Sequence, residues 1–126
     1  MAIKGIGIDV VEIERIREAV NRWGERFLNR IYTPAELQYS QKRVNPQLPL
    51  AARFAAKEAF AKAVGTGIGK SVQWKEIEIQ LDHAGKPTIA LSPRLRTQYG
   101  HLKIHLSMSH SRKYAIAAVT VEDDQG

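Results

Sequence analysis

His101-Leu102-Lys103-Ile104-His105-Leu106-Ser107-Met108-Ser109 alternates between apolar and polar side chains. Leu102, Ile104, Leu106 and Met108 fall on one side; Lys103, His105, Ser107 and Ser109 fall on the other. A period of two is the signature of a half-buried strand. His110 begins the following turn, which Ser111-Arg112-Lys113 completes. Tyr114–Val121 is nearly all apolar, as suits a strand covered on both faces.

Just before the His101–Ser109 strand, Ser92-Pro93 opens a short helix that ends near Gly100. Ahead of it, Ile77, Ile79 and Leu81 alternate with Glu78 and Gln80. Asp82–Lys86 then turns the chain into Pro87–Leu91, which reads as a hairpin. Ile3–Val11 forms a first strand, with Ile6, Ile8 and Val10 on one face and Gly5, Gly7 and Asp9 on the other. The glycine face is nearly bare, leaving room for something to approach the backbone.

Helices fill the interval. Ile13, Ile16, Val20, Trp23, Phe27 and Ile31 make an apolar stripe, opposite Arg15, Arg22 and Arg26, with Gly24 as an interruption. Thr33-Pro34-Ala35-Glu36 carries the cap, the proline and the glutamate of a helix start. Asn45–Pro49 reads as a loop. An alanine-rich helix from about Leu50 to Val64 follows, stopped by Gly65. Strand, helices, then mostly strands predict an α+β domain spanning 1–126, its antiparallel sheet packed on helices.

With 126 residues, 44% hydrophobic and 25% charged, the chain suits one soluble domain and excludes collagen-like or disordered readings. The lack of cysteine excludes disulfide scaffolds, thiolate metal sites and a cysteine nucleophile. Asp9 interrupts the N-terminus before a signal-peptide core could build up, and no segment is apolar enough to span a bilayer, so a cytoplasmic protein is expected. The net charge of +6 favours anionic partners. Glu122-Asp123-Asp124 is acidic, so the remainder is more basic than the total implies.

The glycine-rich loop 65–71 fails as a nucleotide fingerprint. A P-loop needs glycine where Val64 stands, and a dinucleotide motif needs it where Lys70 stands. By spacing the loop is a helix cap and connector, with Lys70 and Ser71 available to a phosphate. Asp9 reads as a cap, a salt-bridge partner or a metal ligand. Magnesium takes one or two carboxylates together with phosphate oxygens and waters. Glu58 and Lys62 lie one helical turn apart, which by itself is a surface ion pair. Lys57 falls on the apolar stripe with Leu50, Phe54, Ala61 and Val64, so it either reaches out to solvent or meets a buried carboxylate or phosphate. His105, Ser107, Ser109 and His110 specify neither a serine triad nor a zinc site. They suit hydrogen bonding in the sheet or contacts to an anion.

Three segments together resemble a known family: Gly5–Ile13, Arg53–Ala63 running into Gly65-Thr66-Gly67-Ile68, and Ser107-Met108-Ser109-His110-Ser111 with Tyr114-Ala115. They are similar to the 4′-phosphopantetheinyl transferases, in the small bacterial holo-[acyl-carrier-protein] synthase branch. The resemblance implies a magnesium-dependent transfer of phosphopantetheine from coenzyme A to a serine of apo acyl carrier protein, releasing adenosine 3′,5′-bisphosphate. It implies Asp9 and Glu58 as magnesium ligands and Lys62 at the coenzyme A phosphates. Lys57, Gly65, Gly67, Ser107 and His110 are candidates for the rest of the coenzyme A site. Arg15, Arg22 and Arg26 would dock the acidic carrier protein. The base would be Glu58, directly or through water, or a metal-bound water, ahead of His110. A homotrimer with sites between subunits is implied, with no nucleic-acid or membrane partner. The competing reading is a non-enzymatic basic module that binds an acidic protein or nucleic acid. Phe54, where the wider superfamily often carries Trp, supports the bacterial branch. Ser111, where some members are acidic, leaves His110 without an adjacent carboxylate.

Overall fold

The structure is a computed structural model that describes residues 2–123. Its elements are β1 (Ala2–Glu12), α1 (Ile13–Trp23), α2 (Glu25–Ile31), α3 (Pro34–Gln41), α4 (Gln47–Ala63), β2 (Ile77–Leu81), β3 (Pro87–Leu91), α5 (Pro93–Tyr99), β4 (Lys103–His110) and β5 (Tyr114–Asp123). β1, β5 and β4 form an antiparallel sheet in that order, and β2–β3 form a separate hairpin. The expected α+β architecture holds. Asp124, the last residue of the acidic run, lies outside the described residues.

The sheet is centred on β5. Ala115, Ala117, Val119 and Val121 point inward onto α4 and are buried, together with Leu106 of β4. Ile116, Ala118 and Thr120 on the other face stay partly exposed, so β5 is not covered on both sides. His110 closes β4, opposite Ala115, instead of starting the turn.

β1 reverses the usual arrangement. Its apolar residues Ile6, Ile8 and Val10 face outward, at 69%, 58% and 55% exposure. Its glycine face receives the backbone of α4. A Cβ on Gly5 would come within 1.8 Å of the Ala63 carbonyl oxygen, and one on Gly7 within 1.9 Å of the Ala59 oxygen. Only a strand stripped of side chains admits a helix this closely. The alanines at 55, 56, 59 and 63 complete the fit from the helix side.

Gly24, at φ 56°, breaks the first helical run, so Arg15 and Arg22 lie on α1 while Arg26 lies on α2. The capping box of α3 forms as expected: the Glu36 amide donates to Thr33 Oγ1 at 3.3 Å, and the Thr33 amide donates to Glu36 Oε1 at 2.9 Å. α4 starts at Gln47, ahead of the expected Leu50, and takes Pro49 into its first turn. Proline is tolerated there because the first-turn amides have no helical acceptors to lose.

Candidate active site

β1 ends its glycine face with Asp9, directly over α4. Lys62 Nζ donates to Asp9 Oδ1 at 3.1 Å and to the Ile8 carbonyl at 3.0 Å. Glu58 precedes Lys62 by one helical turn and faces the same acid. Its carboxyl is held above the ordinary glutamate range, first by burial and then by the negative charge of Asp9, with Lys62 partly offsetting both. Two carboxylates crowded in this way favour either a shared proton or a cation between them.

Asp9 and Glu58 line a cleft of about 380 Å³ with Arg15, Phe27 and Phe54. The oxygen-only donor pair fits a magnesium ion, which needs one or two carboxylates when phosphate oxygens and waters complete its shell. Among the described residues no three His, Cys, Asp or Glu side chains gather to hold a metal by themselves. The pair therefore suits an ion that a phosphate ligand also helps to bind. Arg15, expected on the docking face, borders this cleft. Arg22 stacks on the half-exposed Trp23, its guanidinium carbon 5.0 Å from the ring centroid.

Lys57 is a correction. The expectation that it contacts coenzyme A gives way to the other alternative, a buried carboxylate. Lys57 is fully buried and pairs with Glu36 at 2.7 Å. It also donates to the Ile31 carbonyl at 2.7 Å and the Trp74 carbonyl at 3.0 Å, so all three of its N–H groups are taken. Burial pulls its pKa down and Glu36 pulls it back up. Glu36 in turn accepts from the Ile79 amide at 2.7 Å, joining α3, α4 and β2 in one network.

His110 is not brought to Asp9 and Glu58 within one chain. It lines a different cleft, of about 430 Å³, with Tyr39, Arg43, Asn45 and Met108. The two clefts share no lining residue. Ser107 lies on the outer sheet face, paired with Ala118. Gly65 and Gly67 follow α4, and their loop is fastened to it where the Thr66 and Gly67 amides donate to the Ala61 carbonyl at 3.1 Å.

Beside the second cleft is a feature that the sequence reading missed. Tyr39 is stacked by two guanidinium groups, Arg43 at 4.1 Å and Arg53 at 4.3 Å from its ring centroid. The i,i+4 spacing of Tyr39 and Arg43 was a local signal for half of it. Arg53 comes from α4, and nothing local foretells it.

Known proteins resemble this chain over nearly its whole length. The family model of the 4′-phosphopantetheinyl transferase superfamily matches residues 5–119. A holo-[acyl-carrier-protein] synthase of Halothermothrix orenii is 50% identical over 96% of this chain and 98% of its own. The crystal structure of the Neisseria meningitidis holo-[acyl-carrier-protein] synthase superposes with a TM-score of 0.90 at 42% identity, covering 97% of this chain and 100% of that one. The Helicobacter pylori synthase in complex with coenzyme A superposes with a TM-score of 0.84 at 35% identity, covering 93% of this chain and 99% of that one. A glycine-faced strand that delivers an aspartate to a Glu-Lys helix turn, over a full-length match of sequence and fold, places this chain in the 4′-phosphopantetheinyl transferase superfamily, among its holo-[acyl-carrier-protein] synthases.

Proposed function

We propose that the protein moves the 4′-phosphopantetheine arm of coenzyme A onto a serine of apo acyl carrier protein and releases adenosine 3′,5′-bisphosphate. The observation that carries this reading is the convergence of Asp9, Glu58 and Lys62 in one place. Asp9 and Glu58 would hold a magnesium ion, which when bound supplies positive charge to the diphosphate and its leaving oxygen. Lys62 spends two of its three N–H groups on Asp9 and Ile8 and keeps one for a phosphate oxygen. The serine oxygen bonds to the phosphorus next to the pantetheine arm, and the bridging P–O bond breaks toward the adenosine bisphosphate. Glu58 would take the serine proton directly or through water. Arg15, Arg22 and Arg26 present positive charge to an acidic carrier, with Arg15 at the lip of the cleft.

The working form is a homotrimer with sites between subunits. The exposed row Ile6, Ile8 and Val10 supports self-association, because contiguous apolar faces are rarely left to water. The separation of the His110 cleft from the Asp9 cleft within one chain supports the sharing of sites. Gly65, Gly67, Ser107 and His110 are then the further contacts to coenzyme A, with His110 supplied by a neighbouring copy.

Intact-mass spectrometry of apo acyl carrier protein, incubated with the protein, coenzyme A and Mg2+, tests this reading. The carrier should gain one phosphopantetheine, and no gain with competent reagents would refute it. Charge reversal at Arg22 should raise KM for the carrier and leave that for coenzyme A unchanged; equal loss for both would remove the docking role.

A further inference from the structure

The glycine-rich segment 65–71 that follows α4 is tied to other parts of the fold at two places. Its first half is tied to the end of α4 through the Ala61 carbonyl. Its second half contains Lys70 and Ser71, both exposed and in no regular structure. Their carbonyl oxygens are caught by a side chain from a different element. Arg94 of α5 donates through Nη2 to the Ser71 oxygen at 3.0 Å and the Lys70 oxygen at 3.2 Å. Among the described residues no other side chain bonds to the backbone of these two residues.

Arg94 is itself fixed. Its Nε and Nη2 reach the two Glu76 carboxylate oxygens at 2.6 Å and 2.5 Å. Glu76 also accepts from the Gln73 amide at 3.0 Å and from Ser92 Oγ at 3.2 Å, so the carboxylate cannot swing. The Arg94 side chain is half-exposed, and ion pairs of that kind contribute little to global stability. What the planar fork supplies is geometry: one rigid group that binds a carboxylate on one side and two carbonyls on the other.

We propose that Arg94 is a positioning residue, anchored on Glu76, that presets the Lys70–Ser71 end of the glycine loop to receive the phosphates of coenzyme A. This rests on the transferase reading above. A loop already in its binding conformation spares the ligand the entropy cost of ordering it.

The test uses the full-length protein and coenzyme A with Mg2+. Arg94→Gln should weaken coenzyme A binding about three- to tenfold in a calorimetric titration, the size expected when one or two hydrogen bonds of preorganisation are lost. KM for the carrier should not move, and the melting temperature should shift by only a few degrees. Hydrogen exchange at the amides of residues 69–73 should speed up. Arg94→Lys, which keeps the charge but loses the fork, should recover only part of the affinity. Glu76→Gln should mimic Arg94→Gln, and the double variant should add little. Unchanged coenzyme A affinity in Arg94→Gln would overturn the proposal. So would a loss shared equally with the carrier and accompanied by a large drop in melting temperature. If the parent protein binds no coenzyme A, the transferase reading fails first, and that result is visible before any variant is made.

Discussion

Substituting Lys57→Met removes one half of a fully buried ion pair and leaves Glu36 without its cation. Glu36 cannot turn to water, because its oxygens are also held by the Thr33 and Ile79 amides. The carbonyls of Ile31 and Trp74 lose a donor at the same time. Removing one partner of such a pair costs about 3–5 kcal/mol, chiefly the penalty of the uncompensated charge. For a domain of this length that corresponds to a fall in melting temperature of about 10–20 °C. Thermal and urea unfolding followed by circular dichroism would measure it. The double variant Lys57→Met/Glu36→Gln should be more stable than Lys57→Met alone, since the orphaned charge is gone. The opposite pattern would refute the reasoning: a Lys57→Met protein within about 1 kcal/mol of the parent that has lost coenzyme A binding. Lys57 would then be a phosphate contact, as its place in the motif first suggested.

Four other outcomes rest on the same structure. Gly7→Ala forces a methyl group against the Ala59 carbonyl and should destabilise the protein by about 1–3 kcal/mol or more, seen as a lower urea midpoint. Ile8→Glu places a charge in the outward apolar row and should convert the proposed trimer to monomers in sedimentation velocity; an unchanged sedimentation coefficient would remove that face from the proposed interface. The acid limb of the turnover profile should lie above the ordinary glutamate range, because Glu58 must lose its proton to hold a cation, and added Mg2+ should move it to lower pH. The stability of the metal-free protein should respond in the opposite sense. The folded state binds the Glu58 proton more tightly than the unfolded chain does, so acidification through the raised pKa down to the ordinary glutamate range adds stability, and Glu58→Gln abolishes that gain.

The alternation in β4 and in the β2–β3 hairpin was legible because a period of two allows no other regular structure. The two faces of β1 were legible too, but not which one points inward. Hydrophobicity assigns Ile6, Ile8 and Val10 to the core, whereas the requirement of α4 for a side-chain-free strand assigns them to the outside. The sequence of α4 hides its own start, since Pro49 marks a loop unless it falls in a first turn. Asp9, Glu58 and Lys62 were found through motif resemblance; their convergence needed β1 laid along α4. The wheel position of Lys57 left it either reaching out to solvent or meeting a buried anion, and the pairing with Glu36 depends on a tertiary contact no local pattern records. The Arg94 clamp and the Arg53–Tyr39 stack were invisible for the same reason.

In the proposed mechanism Asp9 and Glu58 hold one divalent ion against the diphosphate of coenzyme A. Mn2+ can replace Mg2+ at an oxygen site and be counted by electron paramagnetic resonance. With coenzyme A present, the parent should bind one Mn2+ per chain, and Asp9→Asn and Glu58→Gln should each lose it while keeping a folded circular dichroism spectrum. Full Mn2+ binding in both variants would contradict the account.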